Sequence, residues 1–115
     1  MASEELELVQ DLIASLDMEA MSLAERRRAI DSTGGAPADG TVVTPVDADG
    51  VPAEWLVPPG ADDRVLVYLH GGAYHAGSLA SARGLASLIA AHARARVLNV
   101  SYRLAPEHPF PAAVD

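Results

Sequence analysis

RVLVYLHGGAYHAGS, residues 64–78, is the stretch of sequence that decides the fold of this chain. Its almost continuous apolar run, Arg64–Leu69, predicts a β-strand buried on both faces, and the run leads directly into a glycine-rich corner. Glycines allow such a corner to present consecutive backbone N–H groups without a Cβ in the way. Because N–H groups arranged in this way can stabilise a developing oxyanion, the stretch indicates acyl-transfer chemistry such as ester hydrolysis.

A second apolar run, Val97–Tyr102, predicts another buried strand of the same kind. The segment from Ser81 to about Ala93 lies between the two runs and predicts a helix. One face of this helix carries Leu85, Leu88, Ile89 and His92. Strand, helix and strand in this order favour a parallel pair joined by a right-handed crossover. The glycine corner then lies at the carboxyl end of a parallel strand, where open α/β sheets place their ligands.

A β-hairpin is predicted before this unit. Two β-branched runs, Thr41–Val46 and Val51–Val57, are separated by the turn sequence DADG, residues 47–50. Gly50 is placed where a tight turn needs a positive φ. Proline and glycine at residues 58–60 then break the chain.

Two helices are predicted at the start of the chain. Apolar residues recur at helical spacing from Glu4 to about Asp17, behind a candidate cap at Ser3. Ser22 and Glu25 form a capping-box pattern that opens a shorter helix through residue 30, before the glycines at 34 and 35. The sequence leaves open whether these helices cover a pocket or simply pack on the body of the domain.

Composition restricts the class of protein. The chain has 115 residues, half of them apolar, which is enough for one small domain or part of one. Residues 1–63 hold fourteen acidic side chains against three arginines, so nucleic-acid binding is not expected. There is no cysteine, no signal-peptide pattern and no apolar run of membrane-spanning length, and we expect a cytoplasmic protein. The sequence does not decide between a monomer and a homodimer.

The chain lacks the sequence patterns of several other chemistries. G-x-S-x-G, which carries the nucleophilic serine of many hydrolases, is absent, and Ser78, Ser81 and Ser101 do not stand at that spacing. The glycines do not match the dinucleotide pattern G-x-G-x-x-G. The four histidines, without cysteine or an H-E-x-x-H pattern, do not indicate a metal site. No metal and no organic cofactor are therefore expected.

Two motifs at a characteristic separation carry a family resemblance. They are HGGAYHAGS at residues 70–78 and YRLAPEHPFPAA at residues 102–113. Together they resemble the hormone-sensitive lipase family of esterases, which have the α/β-hydrolase fold with an HGGG-type oxyanion loop. The resemblance implies that the N–H groups of Gly72 and Ala73 are the oxyanion donors and that Gly71 shapes the turn. Ala73 departs from the family, which usually has a third glycine there.

Neighbouring residues are assigned supporting roles. His70, immediately before the glycines, is well placed to bind backbone groups and hold the loop. Tyr74 and His75 are expected to line the pocket wall beside the donors. Arg103 and Glu107 are expected to pair across the proline-rich loop, and a helix is expected to begin at Ala112.

The resemblance implies two segments: a helical cap segment at residues 1–40 and the N-terminal part of an α/β-hydrolase catalytic domain at residues 41–115. Nucleophile, acid and base are then expected outside this chain, supplied by the remainder of the catalytic domain in the same protein or a companion chain. The leading hypothesis is a carboxylic ester hydrolase acting on a small-molecule ester, with this chain inactive by itself. Two alternatives stay open: a truncated, non-catalytic scaffold or interaction fragment, and a small-molecule-binding domain that uses the glycine corner for an anion.

Overall fold

The computed structural model of the chain describes residues 3–115, which form one mixed β-sheet and three helices. The elements, in chain order, are α1 (Glu4–Ser15), α2 (Leu23–Ser32), β1 (Val42–Ala48), β2 (Val51–Val57), β3 (Val65–Leu69), α3 (Leu79–Ala93) and β4 (Arg96–Val100). The order of the strands across the sheet is β1-β2-β4-β3. The predicted α/β class and the order of its elements are confirmed.

The hairpin and the parallel pair meet at β4. Strand β2 pairs antiparallel with both β1 and β4, while β3 and β4 run parallel. Asp49 and Gly50 both have positive φ, 57° and 88°, as a two-residue hairpin turn requires. The crossover from β3 through α3 to β4 brings the glycine-rich corner to the carboxyl end of β3, as predicted.

Both N-terminal helices begin at the predicted caps. The Ser3 hydroxyl accepts a hydrogen bond from the N–H of Leu6, and Ser22 and Glu25 form the complete capping box. Helix α2 packs against α3. The apolar side chains of α1 are largely exposed: Leu6, Leu8, Val9, Leu12 and Ile13.

The buried face of α3 differs from the expected one. The leucine and isoleucine side chains on the predicted apolar face are exposed, whereas the helix buries Ala82, Gly84, Ala86, Ser87 and Ala90. Small residues allow the helix to lie close to the sheet, where Ala86 and Ala90 pack with Leu56 and Val97 in the core. The sequence shows two apolar faces on α3, and the alanine face is the one that packs on the sheet.

Burial also differs between the two parallel strands. Strand β4 is central, and its residues Val97 and Asn99 are fully buried. Strand β3 is the edge strand of the described sheet, and Val67 and Leu69 are more than half exposed. Within residues 3–115 alone, β3 is therefore not buried on both faces.

A buried ion pair fastens α3 to the sheet. The Glu54 carboxylate on β2 accepts two-point hydrogen bonds from the Arg83 guanidinium on α3, the shortest at 2.8 Å. Asn99 on β4 donates to the same carboxylate at 3.0 Å and to the carbonyl of Leu79 at 3.2 Å. The Glu54 side chain is only 3% exposed, and these donors compensate for the loss of water around it.

The segment after β4 is irregular. Residues 110–114 form turns, and the carbonyl of Pro111 accepts from the N–H groups of Val114 at 2.8 Å and Asp115 at 3.3 Å; no helix is formed within residues 112–115 themselves. None of the helices within residues 3–115 is both long enough and apolar enough to cross a membrane.

Candidate active site

The glycine loop after β3 turns back on itself through one carbonyl. The carbonyl of Gly72 accepts hydrogen bonds from the N–H groups of His75 at 3.1 Å and Ala76 at 3.0 Å. Three consecutive residues have positive φ: Gly72 at 125°, Ala73 at 52° and Tyr74 at 63°. Positive φ is costly for residues other than glycine, so this loop is a strained segment held by its surroundings.

Two glycines of the loop leave no room for a side chain. A Cβ on Gly72 would lie 2.0 Å from the carbonyl oxygen of Ala76. A Cβ on Gly77, whose φ is 94°, would lie 2.2 Å from Nδ1 of His70 and 2.4 Å from the carbonyl oxygen of Gly71. By contrast, a Cβ on Gly71 would meet nothing within 4 Å. Gly72 and Gly77 are therefore the positions where the loop demands glycine.

The turn leaves backbone donors unused. The N–H groups of Gly72 and Ala73 donate to no backbone carbonyl within residues 3–115. Successive N–H groups in a turn of this kind form a concave site that attracts anions. An open cavity of about 350 Å³ adjoins the loop, and its lining is Leu69, His70, Gly71, Ala73, Tyr74, Tyr102, Ala113 and Val114.

His70 lies beneath the loop and is almost fully buried. Its Nδ1 is 2.8 Å from the carbonyl oxygen of Gly71, and because a carbonyl can only accept, Nδ1 carries the proton in this contact. The imidazole stacks on the Tyr102 ring at a centroid distance of 4.3 Å. The Tyr102 hydroxyl in turn donates to the carbonyl of His70 at 2.5 Å. Residues from β3, the loop and the segment after β4 are thus joined around this histidine.

The electrostatics around Tyr102 favour its neutral form. Burial raises the pKa of its phenol above the ordinary value, and the neighbouring Tyr74 adds to the shift. The hydroxyl therefore keeps the proton that it donates to the backbone at neutral pH.

Tyr74 and His75 occupy different places. Tyr74 is mostly exposed, lines the cavity and meets Tyr102 edge to face at 6.2 Å. His75 is half-buried and lies outside the lining of this cavity; its carbonyl accepts a hydrogen bond from Arg27 on α2. The two residues predicted to border the pocket are therefore adjacent in sequence, but only Tyr74 borders this cavity.

The expected pair between Arg103 and Glu107 is not formed. Glu107 instead binds Arg27 through both carboxylate oxygens, at 2.7 and 2.8 Å. This hydrogen bonding lowers the pKa of the Glu107 carboxyl to about 2. The prediction relied on closeness in sequence, whereas the true partner lies eighty residues away on a helix that packs beside the loop.

The hydroxyls nearest the loop have structural partners. Ser78 and Ser81 form the capping box of α3, and the Ser78 hydroxyl donates to Asp31 at 2.6 Å.

Within residues 3–115, no group of three histidine, aspartate or glutamate side chains is arranged to hold a metal ion.

A mixed sheet with a β-α-β unit and a glycine loop at the carboxyl end of β3 is the architecture of an α/β hydrolase. A sequence profile of the family described as alpha/beta hydrolase fold matches residues 66–115. An acetyl-hydrolase from Streptomyces hygroscopicus is 41% identical, in an alignment that covers all of this chain and 40% of that protein.

Solved structures of esterases superpose closely. An esterase from the bacterial hormone-sensitive lipase family superposes with a TM-score of 0.86 at 39% identity, over 99% of this chain and 40% of that chain. An esterase/lipase from an uncultured bacterium gives a TM-score of 0.88 at 33% identity, over 98% of this chain and 40% of that chain. The chain corresponds in fold and sequence to α/β hydrolases of the hormone-sensitive lipase type. It matches the N-terminal part of these proteins and spans about 40% of their length.

Proposed function

We propose that this chain supplies the oxyanion-hole loop of a carboxylic ester hydrolase. The N–H groups of Gly72 and Ala73 donate to the oxygen that becomes negative when an ester carbonyl is attacked. Their geometry carries the proposal, because both groups are left without a backbone acceptor in a turn with positive φ, and Ala73 lines an open cavity that Gly72 adjoins only through the chain. Donors fixed before the reaction lower the barrier because they do not have to reorganise as charge develops.

Other residues of the loop act through the donors. Gly71 and His70 hold the backbone, since His70 is fixed by Tyr102 and contacts the carbonyl of Gly71. Tyr74 borders the substrate on the cavity side, and His75 closes the turn from behind. Residues 1–40 act as the cap segment, and residues 41–115 as the first part of the catalytic domain.

The attacking groups lie outside residues 1–115. A serine hydrolase needs a nucleophile, a histidine base and an acid that orients the histidine. The serines nearest the loop are occupied in capping α3, so they are not the nucleophile.

The substrate is a carboxylic ester of short to medium acyl length. The similarity to an acetyl-hydrolase favours a small acyl group.

The test uses the full-length product of the coding sequence beside residues 1–115 alone. Both are assayed with p-nitrophenyl esters of two to twelve carbons and labelled with a fluorophosphonate probe. We expect turnover and labelling of the full-length product, with the shorter esters preferred, and neither with residues 1–115. Absence of labelling in the full-length product would overturn the proposal and favour a non-catalytic scaffold. Protection by a bound anion without turnover would instead favour an anion-binding domain.

A further inference from the structure

One face of α2 contacts the glycine loop at its far end. The Arg27 Nε donates to the carbonyl of His75 at 2.8 Å, and the Asp31 carboxylate accepts from the hydroxyl of Ser78 at 2.6 Å. Arg27 and Asp31 are four residues apart, so they project from the same side of the helix. Helix α2 therefore fixes the loop at two points after the three consecutive residues with positive φ, Gly72–Tyr74.

Arg27 also joins the loop to the proline-rich segment. Its terminal nitrogens donate to the carbonyl of Ala105 at 2.9 Å and to both oxygens of Glu107. The N–H of Ala105 donates to the carbonyl of Tyr74 at 2.9 Å. One guanidinium thus links α2, the glycine loop and the segment after β4. The planar arrangement of its N–H groups lets it donate hydrogen bonds to all of these acceptors at once, which a lysine ammonium does not reproduce.

The loop needs such support. Ala73 and Tyr74 are held at φ values of 52° and 63°, which residues with a Cβ rarely adopt without outside restraint. The two backbone hydrogen bonds within the loop both end on the carbonyl of Gly72 and close the turn around the strained pair. The carbonyls of Tyr74 and His75 are held from outside the loop, by the N–H of Ala105 and by Arg27.

We propose that Arg27 and Asp31 are positioning residues of the oxyanion loop, so that the first helical segment shapes the active site as well as flanking it. This inference rests on the proposed function of the loop. Arg27 and Asp31 touch no reacting atom; they set where the donors at residues 72 and 73 point. A purely structural fastening of α2 would change the melting temperature without changing how well the enzyme stabilises the transition state.

The first experiment compares Arg27→Met with the control Arg64→Met in the full-length protein. The control also removes an ion pair, the one between Arg64 and Asp62 at 2.9 Å, but at the opposite end of β3. Donors displaced by a few tenths of an ångström from the oxyanion position lose the most hydrogen-bond energy in the transition state, when the negative charge forms. We expect kcat of Arg27→Met to fall about 10- to 100-fold, below the loss of about 10²–10³ for removal of a whole donor. KM should change less than about threefold, and the control should retain wild-type kcat and KM.

The second experiment separates positioning from folding. Asp31→Ala removes the contact with Ser78, while Asp31→Asn retains an oxygen that can accept from it. We expect kcat to fall in Asp31→Ala and to recover in Asp31→Asn. Phenylboronic acid, which forms a tetrahedral adduct, should bind both Arg27→Met and Asp31→Ala more weakly, in proportion to the loss of kcat/KM. If Arg27→Met does not fold, Asp31→Ala and Arg27→Lys decide the question, and we expect only partial activity from the lysine.

Two results must be kept apart. In the first, the wild-type protein is active, and Asp31→Ala and the folded Arg27 variants melt earlier but keep wild-type kcat and boronate affinity. This result would overturn this inference alone. A wild-type protein without any turnover would overturn the proposed function and this inference with it.

Discussion

Substitution of Gly72 by alanine tests the loop geometry most directly. The new Cβ would lie 2.0 Å from the carbonyl oxygen of Ala76 and 2.5 Å from its carbonyl carbon, so the backbone must shift by about 1 Å to reach ordinary contact. The φ of 125° adds a backbone cost of about 1–3 kcal/mol. The shift also weakens the two hydrogen bonds to the carbonyl of Gly72, at about 0.5–1.5 kcal/mol each. Together these effects amount to about 2–6 kcal/mol.

The same shift displaces the proposed donors. We expect kcat of Gly72→Ala toward p-nitrophenyl butyrate to fall by about 10²–10³, because the N–H groups at residues 72 and 73 turn away from the oxyanion. Urea unfolding of the full-length protein measures the stability change. Gly60→Ala is the matched control: its φ is also positive, at 68°, but a Cβ there meets nothing within 4 Å. It should lose about 1–2 kcal/mol and keep its activity. A Gly72→Ala protein within threefold of wild-type kcat would refute the reasoning.

Three further substitutions probe the contacts around the site. Arg83→Met leaves the buried Glu54 carboxylate without its cation and should cost about 3–5 kcal/mol in urea unfolding, whereas a loss below about 1 kcal/mol would contradict the buried pair. Glu107 has a pKa lowered from 4.5 to about 2, so the stability it adds is complete above pH 4.5 and is lost as the pH falls toward 2. Melting temperature should therefore fall less steeply from pH 5 to pH 3 in Glu107→Gln than in wild type, and parallel curves would contradict this. Tyr102→Phe removes the hydrogen bond to the carbonyl of His70 and should cost about 1–3 kcal/mol in the same unfolding assay; an unchanged unfolding midpoint would count against that bond.

Local signals in the sequence predicted most of the architecture. Ser3, Ser22 and Glu25 act within four residues of the helices they cap, and Gly50 acts within the turn it forms. The apolar run before His70 likewise predicted the strand that leads into the glycine loop. Each of these features depends on side chains close in the sequence, which is why a pattern of residues is enough to locate it.

Features that depend on distant contacts were not predictable in the same way. Helix α3 carries a leucine face and an alanine face, and the choice between them depends on how closely the sheet approaches. Arg27 stands in a run of three arginines, and nothing in the run distinguishes it from its neighbours. Its partners lie 48 to 80 residues away. Arg27 reaches these partners because the rotation of α2 about its axis turns this arginine toward the loop. That rotation is set by the packing of the folded structure.

The glycine motif itself contains unequal positions. Gly72 combines a φ of 125° with a blocked Cβ direction, so no other residue fits without distortion. Ala73 follows at 52°, inside the left-handed region that a residue with a Cβ can occupy when its surroundings hold it there, and its N–H is retained. This explains why alanine can stand where related esterases usually have a third glycine. Gly71 has neither a positive φ nor a blocked Cβ. The need for glycine in this loop is therefore set by the carbonyl of Ala76 and by backbone φ. Both are properties of the folded turn, whereas the sequence motif does not distinguish between its three positions.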